Sequence, residues 1–487
     1  MIPFGEWLPD QADLDNPGVT VAKNVVPAIR GYTALNSLAE FSGAVDKRIR
    51  GFYASTYLNS TYIFVGDEDK LYEFSATDYS LNDVSKAGGY SLGTDDTWKF
   101  VQFGADLIAA SGLTDPLQTF ELGSSTNFAD ISGSPSAKHL AVVRDFVVTG
   151  NIAYGGAEYP DSVRWSQIND ATSWTIGANQ ADVQAIPDAG AVTGLVGGEV
   201  GIVLLERGIA RMQYVGTPLI FTFEKVETAQ GCTYPGSVAS IGPSQVFYLS
   251  DNGFFMFNGN TSVPIGSEKV NRFFFDDLSS RFYDRMSCTI DPRTTTVMWS
   301  YPSTNSTGDP DRVLIYNYAI QRWSLAEIDH QFIGTIQTPA ESLENLVKIN
   351  TNIELINTSF DDKQFAGGLS LLVASKDNKI HTFTGQPLDA VIETAEVEFA
   401  KGQRSTLRFV RPYVSTRATV PPEISVEVGS RSSHKDVPSF GAVSQLNDDN
   451  MCPVRANGRY HRFRVNISGR WRYALGVDVD GSAVGRR

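Results

Sequence analysis

The segment "VFYLSDNGFFMFNG" at Val246–Gly259 combines the three features that decide the fold of this chain. A run of apolar residues comes first, a tight Asp-Asn-Gly turn follows, and a second short strand carries several aromatic residues. Asp, Asn and Gly tolerate the left-handed backbone conformations that hairpin turns require. The segment therefore predicts a β-hairpin whose two strands are so apolar that neighbouring elements must cover them.

The same pattern recurs along the first 385 residues, at an average spacing of about 51 residues, which is close to the length of a propeller blade. Stacking four-stranded blades around an axis buries such hairpins and leaves few exposed strand edges. The alternative is a sandwich of unrelated hairpins. We expect an all-β chain with a six- or seven-bladed β-propeller. Further copies lie at Tyr62–Phe74, Leu107–Phe120, Ile202–Tyr214, Val313–Leu325 and Leu371–Gly385, with a looser copy at Asp145–Gln167.

Helical patterns are scarce. "PSAKHLAVV" at Pro135–Val143 and "TPAESLENLVKI" at Thr338–Ile349 predict short helical turns at most. After Gly385 the hairpin pattern stops and five or so longer alternating strands follow, which indicates an appended C-terminal β-sandwich-like domain. We therefore predict an extended docking segment at 1–40, a propeller at 41–388 and the sandwich-like domain at 389–487.

Charge is unevenly distributed along the chain. The formal net charge is −15, yet the residues from Lys401 onward contain 15 Lys or Arg against 7 Asp or Glu, so residues 401–487 carry +8 and residues 1–400 carry −23. Such an asymmetry within one chain suggests a docking surface. A chain this acidic is a poor general binder of DNA.

Arginines are concentrated in the closing stretch "GRYHRFRVNISGRWRYALGVDVDGSAVGRR". Apolar residues alternate there with polar ones, which is typical of half-buried strands, and Ser468-Gly469-Arg470 predicts a short turn between them. We expect a hairpin whose solvent face carries the arginines. That face would be a solvated surface, a protein-docking surface or a nucleic-acid surface. The candidate interface residues are Arg462, Arg464, Arg470 and Arg472.

Four tryptophans are predicted to pack the blades: Trp165, Trp174, Trp323 and Trp471. The first two lie in "SVRWSQINDATSW", the most distinctive short segment of the chain. Tryptophan faces also bind sugars, so this segment has a second interpretation as a carbohydrate platform. Packing is favoured because large aromatic side chains usually serve the core.

The sequence offers no recognisable catalytic motif. Cys232, Cys288 and Cys452 lie far apart, and the five histidines have no metal-ligand spacing. A glycosidase needs two facing carboxylates, but with 55 Asp and Glu a pair can always be chosen. We expect a non-enzymatic protein without catalytic residues, cofactor or metal. The N-terminus does not resemble a signal peptide, and no stretch predicts a membrane span.

Several segments together resemble the tail nozzle proteins of short-tailed phages, a propeller family that includes packaged-DNA stabilisation proteins. The resemblance is carried by the opening "LPDQADLDNPGVTVAKNVVPAIRGYTAL", by "VRWSQINDATSW" and "VLIYNYAIQRWS", and by the closing "YHRFRVNISGRWRYALGVDVDGSAVGRR". Their order matches across nearly the whole chain. The large insertions of the longer nozzles are absent from the blade region, which leaves a separate tail-tip module in doubt.

The resemblance implies a structural virion protein, made and assembled in the host cytoplasm, that forms a ring of six in the virion tail. Its partners would be further copies of itself, the adaptor or head-to-tail connector, a tail fibre or needle, and genome DNA that passes through the lumen without sequence-specific binding. The alternative is a β-propeller that binds or hydrolyses carbohydrate of the host surface. A pocket lined by tryptophans and carboxylates would favour that alternative.

Overall fold

The computed structural model describes residues 1–58, 60–337, 370–399, 401–416 and 420–485. These residues form forty β-strands and one α-helix, α1 (Asn271–Asp277). The first five strands belong to the N-terminal segment, and they are β1 (Ile2–Pro3), β2 (Val19–Lys23), β3 (Val25–Pro27), β4 (Tyr32–Ala34) and β5 (Ala39–Glu40).

Seven four-stranded antiparallel units follow, and each is one blade of a β-propeller. Blade one contains β6 (Gly51–Tyr57), β7 (Ser60–Gly66), β8 (Leu71–Phe74) and β9 (Leu81–Asp83). Blade two contains β10 (Lys99–Phe103), β11 (Asp106–Ala110), β12 (Gln118–Glu121) and β13 (Ala129–Asp130). Blade three contains β14 (Ser136–Val143), β15 (Phe146–Tyr154), β16 (Ala157–Trp165) and β17 (Asp182–Ala185).

Blade four contains β18 (Val192–Val196), β19 (Gly201–Leu205), β20 (Gly208–Gly216) and β21 (Ile220–Glu227). Blade five contains β22 (Ala239–Ser240), β23 (Val246–Ser250), β24 (Gly253–Phe257) and β25 (Ser262–Pro264). Blade six contains β26 (Ser287–Asp291), β27 (Thr296–Tyr301), β28 (Arg312–Asn317) and β29 (Arg322–Glu327). Blade seven contains β30 (Phe332–Gln337), β31 (Ser370–Lys376) and β32 (Lys379–Thr382).

The ring of blades is closed by the N-terminal segment. Strand β5 pairs with β32 and supplies the outermost strand of blade seven, with Glu40 opposite His381. The innermost strands β30 and β6 lie against each other, which joins the last blade to the first. The predicted propeller is therefore confirmed, and the number of its blades is seven.

Apolar side chains fill the spaces between neighbouring blades. Trp98 belongs to the cluster that joins blades one and two, Trp174 to the cluster between blades two and three, and Trp165 to the cluster between blades three and four. Each blade exposes two apolar faces, and only the neighbouring blades can cover both. This is the reason why the repeated hairpins stack around an axis.

One predicted hairpin occupies a different position from the others. Six of the seven copies form the second and third strands of their blades, as Val246–Gly259 does in β23 and β24. Val313–Leu325 instead forms the third and fourth strands of blade six, β28 and β29. The second strand of that blade, β27, reaches β28 through a loop at 302–311 that contains two prolines, so the tight polar turn of this blade falls one strand later.

The two helical expectations have different outcomes. "PSAKHLAVV" forms strand β14, where its residues pair with β15 from Ser136 to Val143, so the helical expectation is wrong there. A pattern of apolar residues this short fits a buried strand as well as a helix, and the neighbouring strand decides. The segment 338–349 lies outside the described residues.

The remaining strands build a β-sandwich. They are β33 (Ala390–Thr394), β34 (Arg404–Ser415), β35 (Glu423–Arg431), β36 (Ser439–Phe440), β37 (Ser444–Gln445), β38 (Cys452–Gly458), β39 (Tyr460–Ser468) and β40 (Tyr473–Gly485). One sheet has the strand order β3-β4-β40-β34-β38, with β1 added on β40. We call it the outer sheet. The facing layer consists of β2, β33, β39, β35, β36 and β37, and we call it the junction sheet because it continues from blade six.

The connection between propeller and sandwich is a continuous ten-stranded sheet. Strand β2 runs parallel to β29 with Lys23 opposite Leu325, and it pairs on its other side with β33. Side chains of both sandwich sheets, among them Val465 and Val477, share one apolar cluster with Trp299 and Trp323 of blade six. Residues 1–40, which we predicted as an extended docking segment, thus form strands that join the propeller and the sandwich of the same chain.

The expected C-terminal hairpin does not form. Strand β39 pairs with β33 and β35 in the junction sheet, whereas β40 pairs with β34 and β4 in the outer sheet. The turn at 468–470 therefore carries the chain from one sheet to the other. Both strands have one apolar side, and placing them in facing sheets turns both of these sides toward a shared core.

Candidate assembly surface on the C-terminal sandwich

Arg462 is largely enclosed by carboxylates of its own chain. Its guanidinium lies 2.7 Å from Asp13 Oδ2, 3.2 Å from Glu393 Oε1 and 3.4 Å from Glu396 Oε1, and its side chain is 11 % exposed. Burial by itself would lower the pKa of Arg462, but the hydrogen bond that its guanidinium donates to Asp13 and the three negative charges raise it. The expectation that Arg462 lies on a solvent face is therefore wrong.

Arg464 is held between two neighbouring strands. On β39 it lies opposite Glu393 of β33 and opposite Glu427 of β35. Its Nε donates to Glu393 Oε2 at 2.8 Å, its Nη1 lies 3.6 Å from Glu427 Oε2, and its guanidinium covers the ring of Phe440 at 4.1 Å. The side chain is 34 % exposed, so it is engaged on one side and reaches solvent on the other.

Arg431 completes what we call the carboxylate–arginine cluster, which consists of Glu393, Glu396, Arg431, Arg462 and Arg464. Its Nη2 donates to Glu396 Oε2 at 2.5 Å and its Nε to the same oxygen at 3.1 Å. The side chains of Glu393 and Glu396 are only 4 % and 1 % exposed. Two buried carboxylates require counter-ions, so the arginines bind the strands of the junction sheet to one another.

Arg470 and Arg472 have a different environment. Both are exposed, and neither has a carboxylate partner within the described part of the chain. The Nε of Arg470 donates to Gln386 Oε1 at 3.0 Å, and the guanidinium of Arg472 lies 5.1 Å from the centre of the Tyr473 ring. The four predicted interface arginines therefore divide into an engaged pair in the junction sheet and an exposed pair where the chain crosses to the outer sheet.

The outer sheet carries three further exposed arginines that the sequence prediction missed. Arg408 and Arg411 project from β34 and Arg455 from the adjacent strand β38. None of the three has a carboxylate partner among the residues that the structure describes. Relative to β40, a register shift between Leu407 and Phe409 inserts an extra residue into β34, which places Arg408 and Arg411 on the same side. We call Arg408, Arg411 and Arg455 the exposed arginine face.

Two carboxylates lie near this face, but one already has an ion-pair partner and the other does not lie opposite an arginine. Asp478 lies opposite Arg411 in the pairing of β34 with β40, and it accepts an ion pair from the N-terminal amine of Met1 at 3.4 Å. Asp480 lies opposite Phe409. The outer sheet therefore offers guanidinium groups that a carboxylate of another surface can reach.

The sequence contains a signal that would have separated the two groups of arginines. Strand β33 carries Glu393 and strand β35 carries Glu427, and both glutamates lie opposite Arg464 of β39. Strands β34 and β38, which carry Arg408 and Arg455, contain no acidic residue. A glutamate directly opposite an arginine in the next strand is its natural partner.

The four tryptophans are buried. The indole of Trp165 donates to the carbonyl of Gln180 at 2.7 Å, that of Trp174 to Ala171 at 2.9 Å, and that of Trp323 to Ile265 at 3.1 Å. These three lie in the propeller. Trp471 instead packs in the sandwich core beside the crossing at 468–470, so its prediction as a blade-packing residue is wrong. Its indole nitrogen has no hydrogen-bond partner among the residues that the structure describes.

No group of three or more His, Cys, Asp or Glu side chains in the described part of the chain is arranged to hold a metal ion. No helix among the described residues has the length and apolar character needed to cross a membrane.

Comparisons with known proteins identify no family. No protein-family model matches the chain, and no curated protein matches it. Among solved structures, a chain of a nidogen–laminin complex is similar over 49 % of this chain and 81 % of its own length, with 13 % identity and a TM-score of 0.29. Apo AztD from Citrobacter koseri is similar over 57 % of this chain and 71 % of its own length, with 10 % identity and a TM-score of 0.31. Similarity at this level carries no inference about function.

Proposed function

We propose that this chain is a structural, non-enzymatic virion protein of the tail-nozzle type, which assembles into a ring of six in the tail of a short-tailed phage. The observation that carries the proposal is the exposed arginine face on a chain whose residues 1–400 have a net charge of −23. A positive surface on one copy and a negative surface on the next make a head-to-tail contact, and contacts of that type close rings.

Arginine suits such a contact because its planar fork engages carboxylates through two parallel hydrogen bonds. An exposed pair contributes only about 0–1 kcal/mol. A close pair that is desolvated in an interface is coupled by roughly 1.5–7 kcal/mol. We assign the contact to Arg408, Arg411 and Arg455, with Arg470 and Arg472 at its border, because the remaining arginine pair is engaged within the chain.

The connection between the two parts of the chain suits this role. A ten-stranded sheet runs from blade six into the sandwich, so the domain that carries the exposed arginine face joins the propeller without a flexible linker. In this assembly the adaptor binds above the ring, a tail fibre or needle below it, and genome DNA passes through the lumen. Six copies carry a formal charge of −90. An acidic lumen would repel the phosphate backbone, so DNA would slide through it instead of binding.

The proposal is tested by negative-stain electron microscopy of the purified chain at physiological salt, where rings of six are expected. The triple variant Arg408→Glu/Arg411→Glu/Arg455→Glu should fold and remain a monomer. The control is Arg30→Glu/Lys401→Glu/Lys435→Glu, which makes the same charge change at three exposed positions elsewhere. A wild-type protein that stays monomeric at every concentration, or a triple variant that forms rings as well as the control, contradicts the proposal.

A further inference from the structure

A cavity of about 510 Å³ lies on the axis of the propeller. Residues of the innermost strands β10, β14, β26 and β30 line it together with the first residues of β18. Loops that connect successive blades surround its open end, among them the segment 93–97 before blade two and the segment 233–236 before blade five. A volume of this size is in the range of small-molecule sites.

The strand part of the cavity contains a lysine without a counter-ion. Lys99, the first residue of β10, lines the cavity, and its ammonium has no ion pair or hydrogen bond among the described residues. Burial lowers the pKa of Lys99. A partly buried ammonium that faces no carboxylate is unfavourable, and a bound anion would remove that cost.

The groups beside Lys99 do not supply a negative charge. Burial, together with the charges of Lys99 and Lys138, lowers the pKa of His139 to about 3, so this side chain is neutral at neutral pH. Burial raises the pKa of Cys288 well above its ordinary value, so this side chain stays a thiol. Lys99 therefore faces a neutral imidazole and a neutral thiol across the cavity.

Asn151 presents an amide to the same space. It lies where β15 changes register, between Gly150 and Ile152, and its backbone has a positive φ of 54°. Its Nδ2 donates to the carbonyl of Val192 at 3.3 Å, which fixes the amide and leaves its Oδ1 without a partner in the described structure. Bulges and strained residues of this kind are found where a side chain is aimed at a ligand.

The loop end of the cavity is lined by carboxylates. Asp95 forms an ion pair with Arg285 at 3.3 Å, and Asp96 forms one with Lys138 at 3.6 Å. Glu206 and Asp284 also line the cavity, and neither side chain has an ion pair or hydrogen bond among the described residues. These two carboxylates can accept hydrogen bonds from hydroxyl groups.

Two tyrosines add an aromatic surface to this end. Tyr234 and Tyr283 meet edge to face with their ring centres 5.8 Å apart, and both line the cavity. An aromatic ring beside free carboxylates suits a molecule with an apolar face and a rim of hydroxyl groups. A sugar ring has this combination.

We propose that the propeller axis is a binding site for a small acidic saccharide, in which Lys99 pairs with the carboxylate of the sugar and Glu206, Asp284 and Asn151 hold its hydroxyl and amide groups. No reaction is assigned to the site. The inference is independent of ring assembly, because its residues lie inside one propeller and the arginine face lies on the sandwich.

The first test is isothermal titration calorimetry of the purified chain with three probes: glucuronate, neutral glucose and cationic glucosamine. Glucuronate should bind at one saturable site per chain, at least about tenfold more tightly than glucose, since a charge-assisted contact contributes more than a neutral one. Equal affinity for glucuronate and glucose, or no saturable binding of any probe, overturns the proposal.

The second test uses Lys99→Met, which keeps the length of the side chain and removes its charge, and Lys435→Met as a matched control at an exposed loop position. The first variant should lose the preference for glucuronate and the control should keep it. If Lys99→Met does not fold, NMR of the lysine ammonium groups in the wild-type chain decides. Glucuronate should raise the pKa of Lys99, and an unchanged Lys99 titration contradicts the assignment.

Discussion

The two sheets of the sandwich use the same residue type in opposite ways. In the junction sheet, Arg462 and Arg464 face glutamates of adjacent strands that are almost completely buried. In the outer sheet, Arg408, Arg411 and Arg455 face solvent without carboxylate partners in the described chain. An arginine stripe in a strand therefore has no fixed role, because the residues of the neighbouring strands decide whether it holds the fold or remains available to a partner.

The largest loss of stability is expected when Arg462 is replaced. Replacing Arg462 with Ala leaves Glu393 and Glu396 buried with one counter-ion fewer, so the free energy of unfolding should fall by about 3–5 kcal/mol. Urea denaturation followed by tryptophan fluorescence measures this, since Trp471 lies in the sandwich core. A loss below about 1 kcal/mol would show that Arg462 contributes no more to stability than an exposed arginine, which contradicts the difference between the two sheets.

His330 is a second enclosed group, and its burial makes the stability of the folded chain depend on acid pH. His330 is buried, with ring nitrogens 2.7 Å from the carbonyl of Ile328 and 2.6 Å from Ser300 Oγ, and burial lowers its pKa to about 4. Since the unfolded chain then binds a proton that the folded chain excludes, stability is complete above about pH 6.5 and falls as the pH drops toward 4.

The share of His330 in that loss is about 3 kcal/mol, because each unit of pKa shift corresponds to about 1.4 kcal/mol. In His330→Asn the fall in stability between pH 6.5 and 4 should therefore be shallower than in the wild-type chain. Urea denaturation at several pH values compares the two slopes. Identical slopes would show that His330 takes up its proton in the folded state.

A smaller effect is expected for Arg464→Lys. Lysine keeps the charge but loses the fork that reaches both Glu393 and Glu427 and the flat contact with Phe440. The side chain is one third exposed, so water compensates part of the loss. We expect a decrease of about 1–2 kcal/mol in the same denaturation experiment, between the values for Arg462→Ala and for an arginine of the outer sheet.

The smallest effect belongs to the outer sheet. Arg411→Ala should change the free energy of unfolding by less than about 0.5 kcal/mol, because the side chain is exposed and its cross-strand neighbour Asp478 is engaged by the N-terminus. Sedimentation velocity at low salt should at the same time show weaker self-association than in the wild-type chain, and the difference should shrink as salt is added, because salt screens exposed charges. A destabilisation above about 2 kcal/mol would remove the distinction between the two sheets.

Much of the propeller could be predicted from local patterns. Turn residues and runs of apolar residues identified one hairpin in each of the seven blades, because both depend on residues that are neighbours in sequence. The position of Val313–Leu325 within blade six could not be predicted, since a tight polar turn forms equally well between the second and third strands or between the third and fourth. The expected hairpin at 463–479 was wrong for a related reason, because an alternating pattern shows which side of a strand is apolar and not which strand lies beside it.

The arginine-rich composition of the C-terminal region could be read from the sequence, but which of its arginines are exposed could not. The excess of arginine in residues 401–487 is a property of composition, and it follows from the sequence alone, as do the all-β class and the repeated hairpins. Three features required the folded chain: Asp13, Glu393 and Glu396 meet Arg462, β5 closes blade seven, and the cavity around Lys99 lies on the axis. Each of these contacts joins residues from distant parts of the chain. The strand neighbours that create them follow from burying all apolar faces at once, and no local segment contains that information.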